Sequence, residues 1–316
     1  MPGSIWLLTD ARMDAHRTSA HPERPERRGA VAAGVRDAAG DQLVEASFDP
    51  ATDDEVLAVH DRSYLDALED ADRRGGGWLD PDTYIVAGSM RAARLAAGAT
   101  LRGATGVATG EAESAFAVVR PPGHHASSER GSGFCLLNNV AIAVARLRAL
   151  GHARRVAILD WDVHHGDGTQ EIFDGDPDLC YVSTHQFPFY PGTGTPGDRG
   201  VGAAVGTKHN HPLSAGDGDE AFVAAWRDEL LPGVGAFAPQ AMLVSAGYDA
   251  HRADPLAELE VTEEGYEEVS RLVGGLSRRL RLPGVALTLE GGYDLDALRA
   301  SSAATIRGIL EGRNQA

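Results

Sequence analysis

The sequence has few cysteines and no long apolar run, and each absence excludes a class of protein. Cys135 and Cys180 are the only cysteines in 316 residues, too few for a structural zinc site of the four-cysteine kind. No apolar run approaches the roughly 18 residues that a membrane span needs, and the segment 1–8 lacks the basic region of a signal peptide. We therefore expect a cytoplasmic protein with no membrane partner, in which histidines and carboxylates hold any metal.

Basic residues are also scarce relative to acidic ones. The chain has 29 Lys and Arg residues against 46 Asp and Glu residues, which gives a formal net charge of −17. Such a surface repels nucleic acids and can attract cationic substrates. We therefore expect no nucleic-acid partner. A charge of this size also serves solubility alone, so a cationic substrate is only one of two interpretations.

No linker and no repeat interrupts the chain, and we expect a single domain over residues 1–316. Apolar runs without alternation indicate strands of a parallel sheet covered on both faces, at Ile5–Leu8, 115–119, 156–159, 179–182, 241–244 and Val285–Leu289. Helical spacing lies between them, at 23–39, 88–104, 136–150, 219–231, 263–280 and 295–310. This alternation predicts a three-layer α/β fold with a mostly parallel sheet. The segment 187–218, rich in Gly, Pro and His, predicts a long functional loop.

Five glycine-rich, polar segments each follow an apolar run. They are 120–125, 160–168, 183–185, 245–249 and 290–293. In an open parallel sheet the carboxyl ends of the strands share one edge, so groups that are distant in sequence meet there. The five segments therefore predict one active site.

The second of these segments has the residues of a metal site. Asp160, Asp162 and His164 alternate, so in extended backbone they project to the same side. Asp249 can supply a third ligand, and three protein ligands leave a position for water, as in catalytic zinc sites. Taken alone, the pattern Asp-x-Asp-x-His is explained equally well by a metal site and by a turn with capping carboxylates. The neighbouring segments favour the metal.

Two further segments offer proton donors and acceptors. His124 and His125 follow a rigid Pro-Pro-Gly turn, and an imidazole is the natural general base near neutral pH. Asp160 and Asp167 are available to orient the two rings. Tyr293 can donate a hydrogen bond to a developing oxyanion. Taken singly, a capping histidine pair and a core tyrosine are the simpler interpretations.

The motifs together resemble those of the histone deacetylase and acetylpolyamine amidohydrolase superfamily, most nearly its class II-like bacterial members. The matching segments are 21–27 (His-Pro-Glu-Arg-Pro-Glu-Arg), 79–84 (Leu-Asp-Pro-Asp-Thr-Tyr), 120–125 (Arg-Pro-Pro-Gly-His-His), 160–168 (Asp-Trp-Asp-Val-His-His-Gly-Asp-Gly) and 290–293 (Glu-Gly-Gly-Tyr). The resemblance covers nearly the whole chain. It implies an arginase-like fold with a roughly eight-stranded sheet.

The resemblance also implies a zinc-dependent amidohydrolase that removes acetyl or short acyl groups from lysine side chains. The implied zinc ligands are Asp162, His164 and Asp249. The implied catalytic residues are His124 backed by Asp160, His125 backed by Asp167, and Tyr293 as oxyanion donor. A structural potassium ion is implied at Asp160, Asp162, His164, Ser183 and Thr184. Gly133, Phe134 and Tyr190 match the acyl-lysine tunnel, Tyr190 where many relatives have Phe, and Asp82 matches an acidic residue of the rim.

Several alternatives stay open. The related ureohydrolases bridge two manganese ions, but Gly166 and His251 stand where two of their aspartates would be, which favours one metal. That metal is zinc or ferrous iron. The substrate is an acylated lysine or a small acylated amine such as an acetylpolyamine, although no long insertion narrows the 60–88 region as in polyamine enzymes. A non-catalytic acyl-lysine binding module is disfavoured, because every expected catalytic residue is present. The oligomeric state is open.

Overall fold

The computed structural model describes residues 3–315, and its centre is an eight-stranded sheet. The strands are β1 (Ile5–Leu8), β2 (Leu43–Glu45), β3 (Gly76–Trp78), β4 (Tyr84–Val86), β5 (Ser114–Ala117), β6 (Val156–Asp160), β7 (Leu179–Gln186), β8 (Lys208–Leu213), β9 (Ala241–Ala246) and β10 (Val285–Leu289). Their order in the sheet is β2-β1-β5-β10-β9-β6-β7-β8, and each pairing is parallel. β3 and β4 form a separate antiparallel pair.

Helices cover both faces of the sheet. The α-helices are α1 (Glu26–Ala39), α2 (Asp53–Val56), α3 (Arg62–Arg73), α4 (Ser89–Ala108), α5 (Asn139–Ala149), α6 (Asp167–Phe173), α7 (Asp219–Ala224), α8 (Leu231–Phe237), α9 (Glu263–Arg279) and α10 (Leu295–Gln315). A π-helical turn, Ala225–Leu230, joins α7 to α8, and short 3-10 helices lie at Ala11–Ala15, Gly40–Gln42 and Gly202–Ala204. Within residues 3–315, no helix combines the length and apolarity needed to cross a membrane.

The alternation of side chains along the strands divides the core into two layers. Leu7 and Leu159 face one side, where they pack in one cluster with apolar residues of α1, α8, α9 and α10. Leu8 and Ile158 face the other side, where they pack with residues of α4 and α5. Successive strand residues point to opposite faces, so strands buried on both faces need continuous apolar runs. The predicted three-layer fold with a parallel sheet is confirmed.

One prediction about the chain's organisation is wrong. The segment 187–218 was expected to be a long loop, but it contains β8, which pairs with β7 at the edge of the sheet. Its sequence, Lys-His-Asn-His-Pro-Leu, has no apolar run because an edge strand has one pairing partner and three of its six residues are only partly buried. The part of the segment before β8, 187–207, holds aromatic residues near the site described below.

The sheet order places the polar segments beside one another. The strands β5, β10, β9, β6 and β7 are consecutive neighbours. Four of the five segments begin within three residues of the carboxyl ends of β5, β10, β9 and β6. The fifth segment, 183–185, lies inside β7, which is four residues longer than the predicted strand. Asp160 is paired with Ser183 on one side and with Ser245 on the other. One edge of the sheet therefore collects side chains from across the chain.

Candidate active site

Asp162, His164 and Asp249 converge at this edge, and we call them the Asp162 cluster. Asp162 and His164 follow β6, and Asp249 follows β9, the strand paired with β6. One potential ligand atom from each of the three residues lies within 4.8 Å of the other two. His164 Nδ1 is 3.1 Å from Asp162 Oδ1 and 3.2 Å from Asp249 Oδ2. The three side chains can therefore hold one metal ion between them.

The charges of the Asp162 cluster do not balance within the protein. Both carboxylates are fully buried, and Asp249 Oδ2 accepts no hydrogen bond from residues 3–315. Burial and the nearby Asp162 charge raise the pKa of Asp249. Buried carboxylates are stable when they are paired or coordinate a metal. Two carboxylates and one imidazole fit a divalent ion that accepts both oxygen and nitrogen ligands.

Two glycines make room for these carboxylates. A Cβ atom at Gly247 would lie 2.0 Å from Asp162 Oδ2, and one at Gly291 would lie 2.0 Å from Asp249 Oδ2. Gly291 N also donates a hydrogen bond to Asp162 Oδ2 at 2.7 Å. The backbone after β9 and β10 therefore forms the wall of the cluster, a close approach that only glycine allows.

His124 and His125 lie beside the cluster on the loop that follows β5. His124 Nδ1 is hydrogen-bonded to Asp160 Oδ2 at 3.1 Å, and His125 Nδ1 to Asp167 Oδ1 at 2.7 Å. The ring centroids are 4.1 Å apart, and His124 Nε2 is 3.8 Å from Asp162 Oδ1. The carboxylates fix the orientation of both rings at the edge of the candidate metal site.

The two histidines have different electrostatic environments. Although burial favours a neutral ring, the Asp162 and Asp160 charges raise the pKa of His124 well above its usual range. Burial and the positive charge of His124 lower the pKa of His125 to about 4. His124 is therefore suited to carry a permanent charge, and His125 to be a neutral ring that can accept a proton.

Glu290 holds the loop that carries the two histidines. Its Oε2 accepts hydrogen bonds from Gly123 N at 2.7 Å and from His124 N at 3.2 Å, and its Oε1 accepts one from Ser245 Oγ at 3.0 Å. Glu290 is fully buried at the end of β10, between β5 and β9. One carboxylate thus joins β9 to the loops that follow β5 and β10.

Tyr293 lies on the loop after β10 and is almost fully buried. Its backbone N–H donates to Asp254 Oδ2 at 2.7 Å, and Asp254 Oδ1 accepts from Leu256 N at 2.9 Å. The ring of Phe134 meets that of Tyr293 edge-on, with centroids 5.8 Å apart. Burial raises the pKa of the Tyr293 phenol well above its usual range, so the hydroxyl stays protonated and can donate a hydrogen bond.

A second buried set of charges supports the Tyr293 loop, and we call Glu23, Arg27 and Arg120 the Glu23 cluster. All three side chains are fully buried. Glu23 accepts from Arg120 Nη2 at 2.6 Å and from Arg27 Nη1 at 3.1 Å. Arg27 also donates to Gly292 O at 2.5 Å and to Glu290 O, with its guanidinium carbon 4.9 Å from the Tyr293 ring centroid. The amino-terminal motif 21–27 therefore fixes the loop that carries Tyr293.

The site opens into a cavity of about 260 Å³. Its lining residues are Asp82, Pro122, His124, His125, Gly133, Phe134, Asp162, His164, Phe189, Tyr190, Leu256, Gly291 and Tyr293. Phe189 stacks on the His164 ring with centroids 5.5 Å apart, and Tyr190 meets His125 edge-on at 5.2 Å. A Cβ atom at Gly133 would lie 2.3 Å from His125 Cδ2, so glycine is required beside that ring. The cavity is thus apolar along its walls and charged at its base.

Comparison with known proteins agrees with this arrangement. A model of the histone deacetylase domain matches residues 21–309. The chain belongs to the histone deacetylase family. The resemblance inferred from the motifs is therefore confirmed, and family membership supports deacetylase or amidohydrolase activity.

Relatives of this histone deacetylase family member occur in distant organisms. A probable deacetylase of Archaeoglobus fulgidus is 42% identical over 279 residues, which cover 87% of this chain and 77% of that protein. Histone deacetylase 15 of Arabidopsis thaliana is 39% identical over 96% of this chain but only 56% of its own length, so the chain spans little more than half of the plant protein. The crystal structure of the HDA15 HD domain superposes with a TM-score of 0.91 at 38% identity, covering 97% of this chain and 88% of that chain.

The residues that replace ureohydrolase ligands are not arranged to bind a second ion. A Cβ atom at Gly166 would lie 2.3 Å from Asp160 Oδ2, which leaves no space for a carboxylate side chain. His251 Nε2 is bonded to Glu263 Oε2 at 3.0 Å, and its Nδ1 accepts from Ala253 N at 3.1 Å. Both ring nitrogens of His251 are therefore engaged within the histone deacetylase fold.

The residues expected at a potassium site also lie together. Asp160 and Ser183 are cross-strand neighbours on β6 and β7, and Thr184 follows Ser183. Asp160 Oδ2 accepts from Tyr181 Oη at 3.0 Å, and Thr184 Oγ1 accepts from Trp226 Nε1 at 3.2 Å. Asp160, Ser183 and Thr184 are fully buried, and none of them lines the cavity.

Sequence reasoning missed several residues of the site in this histone deacetylase family member. Leu256 lines the cavity without having been predicted, Phe189 was expected only as part of a functional loop segment, and Asp254 had no predicted role. Glu290 and Glu23 were recognised only as letters of a motif. An aromatic pair, Phe189 and Tyr190, was visible in the sequence, but no local signal could show that Asp254 contacts a backbone amide 39 residues away.

Proposed function

We propose that residues 1–316 form a single zinc-dependent deacetylase domain that removes acetyl or other short acyl groups from lysine side chains. The proposal is carried by the Asp162 cluster, in which a buried oxygen of Asp249 accepts no hydrogen bond from the described residues. The cluster lies in one site with two carboxylate-backed histidines and a buried tyrosine. Asp162, His164 and Asp249 would hold a divalent ion, zinc or ferrous iron, and that ion would supply the Lewis acidity needed to activate water near neutral pH.

The histidine pair moves and balances the protons of the reaction. His125, oriented by Asp167, takes a proton from the attacking water and then, as the imidazolium, returns it to the leaving amine. His124, bonded to the fully buried Asp160, stays charged and stabilises negative charge that develops beside it. The products are a short carboxylic acid and a free amine.

Tyr293 donates a hydrogen bond to the oxyanion that forms from the substrate carbonyl. Its loop is held from two directions, by Asp254 at its backbone and by Arg27 at the neighbouring carbonyls. Such anchoring keeps the phenol in place before the reaction, which is what makes an oxyanion donor effective. Asp254 and Arg27 act here as positioning residues.

The cavity favours a linear aliphatic chain. Phe134 and Tyr190 contribute aromatic rings to its walls, and Gly133 leaves space beside His125. The apolar stem of a lysine side chain fits such a passage, with the acyl group at the charged base. Asp82 lines the same cavity, and we expect its carboxylate to bind the backbone N–H groups or the amine of the substrate. These four residues form the proposed substrate path.

We also propose a structural potassium ion beneath the metal centre. Asp160, Ser183 and Thr184 would hold it together with backbone oxygens of Asp162 and His164. A cation there offsets the carboxylate charge that is buried under the Asp162 cluster. No step of the proposed chemistry depends on it.

An activity panel tests the proposed function. Acetyl-lysine peptides, acetylspermidine and acetylputrescine are offered to the same sample, and its metal content is measured by mass spectrometry. We expect about one zinc or iron ion per chain and the largest kcat/KM for the acetyl-lysine peptides. The matched control is Tyr293→Phe, which should keep the metal and lose roughly 100-fold in kcat.

Each other outcome removes a definite part of the proposal. Faster turnover of acetylpolyamines would replace the protein substrate by a small molecule and leave the chemistry intact. Unchanged kcat in Tyr293→Phe would remove the phenol from the mechanism. Two metal ions per chain at full activity would contradict the single-ion centre.

A further inference from the structure

Lys208 is the only lysine of the chain, whose other permanently cationic side chains are all arginines. It begins the edge strand β8, yet it is 0% exposed. Lysine is almost never fully buried unless its charge is paired. The proposed deacetylase mechanism does not use this residue, so its burial needs a separate explanation.

Three neutral oxygens surround the ammonium group. Lys208 Nζ donates to Thr207 Oγ1 at 2.7 Å, to Leu179 O at 2.9 Å and to Asp176 O at 3.2 Å. The hydroxyl of Thr207 donates its own hydrogen to Ala204 O, so its oxygen is free to accept. The ammonium has three N–H donors, and all three are satisfied.

No carboxylate pairs with this ammonium among residues 3–315, as no ion pair involves Lys208. Asp176 contributes its backbone carbonyl to the ammonium, and its carboxylate pairs with Arg148 Nη1 at 2.5 Å. A cage of carbonyl and hydroxyl oxygens is the ligand type that potassium channels offer to a dehydrated monovalent cation. A guanidinium, planar and with five donors, does not match three converging oxygens.

We propose that the turn between α6 and β7, together with Thr207 just before β8, forms a monovalent-cation cage whose resident cation is the protein's own ammonium. The cage ties the backbone of Asp176 and Leu179 to β8. It thereby fixes the connection between α6, which begins at Asp167, and β7, which carries Ser183. Because the cation is covalently attached, this connection does not depend on the salts around the protein.

The charge of the ammonium is compatible with the cage near neutral pH. Burial lowers the pKa of Lys208 to about 8, so the protonated form still predominates at pH 7. The cage also explains why one lysine is present in a chain that otherwise uses arginine. A compact point charge on a flexible stem is the property that distinguishes lysine from arginine.

Labelling with lysine that carries ¹⁵N at Nζ tests the wild-type protein directly, because a single lysine gives a single side-chain signal. At pH 7 we expect one NH₃⁺ resonance whose hydrogens exchange slowly with water. A neutral amine, or an ammonium that exchanges as fast as that of free lysine, would overturn the proposal.

Two variants test whether the cage itself selects a cation. In tetramethylammonium chloride, whose cation is too large for the cage, we expect Lys208→Ala to lose roughly 5–10 °C in Tm. Potassium or ammonium chloride at equal ionic strength should restore at least half of that loss. Lys208→Met fills the space without a charge, so we expect its Tm to be lower than that of the wild type. Potassium or ammonium chloride should raise the Tm of Lys208→Met no more than that of the wild type. The wild-type response is the control, because it includes the effect of any other ion site.

Both variants can contradict the cage. A salt response of Lys208→Ala no larger than that of the wild type would show that the oxygens do not bind a free cation. If Lys208→Ala does not fold, Lys208→Met decides, because a packing role predicts near wild-type Tm for a side chain of similar volume. None of these measurements uses deacetylase activity, so they stand or fail independently of the proposed function.

Discussion

The Asp162 cluster and the Glu23 cluster are both buried groups of charges, but only in the Glu23 cluster does every carboxylate oxygen accept a hydrogen bond from the protein, and in that sense we call it balanced. In the Glu23 cluster one carboxylate faces two guanidiniums, and each of its oxygens accepts a hydrogen bond. In the Asp162 cluster two carboxylates share one imidazole, and an oxygen of Asp249 accepts no hydrogen bond from the described residues. The difference separates a structural ion network from a site suited to an added cation.

The physical rule behind the comparison is the cost of burying charge. An isolated buried carboxylate is expensive, and pairing with hydrogen-bonded cations offsets that cost. Arg120 and Arg27 provide such pairing, and although burial alone raises the pKa of Glu23, they lower it to about 2. For Asp249, burial and Asp162 act in the same direction and raise the pKa. The unbalanced cluster therefore gains most from a divalent ion.

The largest effect is expected when a ligand is removed from the unbalanced cluster. Asp249→Ala should lose the metal and reduce activity to that of chelator-treated wild type, because two ligands do not hold a catalytic ion. In the absence of metal, the variant should be at least as stable as the wild type, since one of two repelling buried carboxylates is gone. Metal analysis and denaturant unfolding of the chelated proteins measure both effects.

The wild type treated with the same chelator is the control for Asp249→Ala. A full complement of metal in the variant would refute the ligand assignment. A metal-free variant much less stable than the metal-free wild type would show instead that Asp249 is structural, like Glu23. Either result would erase the distinction between the two clusters.

Substitutions in the histidine pair, which lies beside the Asp162 cluster, should give the next largest effect on activity. His124 is bonded to the fully buried Asp160, whereas Asp167, the partner of His125, is partly exposed. We expect His125→Ala to lower kcat by about 10²–10⁴-fold, because it removes the general base. His124→Ala should cost less, because it removes only a nearby charge. Kinetics at equal metal occupancy decide, and the reverse order would exchange the two roles.

The sequence predicted the fold well where strands are central. The strand Val285–Leu289 has the predicted bounds, because Pro283-Gly284 before it and Glu290-Gly291 after it interrupt an apolar run. Edge elements were missed, since β8 has a polar sequence and β2 has only three residues. Apolar runs report burial on both faces, and an edge strand is not buried in that way.

At the candidate site, residues in recognisable motifs could be named, but their supporting contacts could not. The motif 21–27 gave no sign that Arg27 bonds to carbonyls more than 260 residues away, at Glu290 and Gly292. Asp254 was overlooked for the same reason, because its partner is the backbone of Tyr293. The chemistry of a side chain can be recognised from the residue type in the sequence. Contacts between distant residues depend on the order of the strands in the sheet, which the sequence pattern does not show.

The smallest effect on catalysis is expected in the balanced cluster. Glu23→Gln leaves Arg27 and Arg120 buried without a negative partner, and we expect it to lower the free energy of unfolding by about 3–5 kcal/mol at pH 7. In the protein that remains folded, kcat should fall less than tenfold, since Glu23 does not line the cavity.

The stability loss caused by Glu23→Gln should depend on pH. The pKa of Glu23 is about 2 in the folded protein against 4.5 for the ordinary glutamate, so its stabilising charge is fully present above pH 4.5 and disappears as the pH falls toward 2. Denaturant unfolding at pH 7, 5 and 3 should therefore show a constant difference between wild type and Glu23→Gln down to about pH 5 and a smaller one at pH 3. A difference that does not change with pH would mean that the carboxylate's charge is not what holds the cluster, and that the contrast with Asp249 is one of packing.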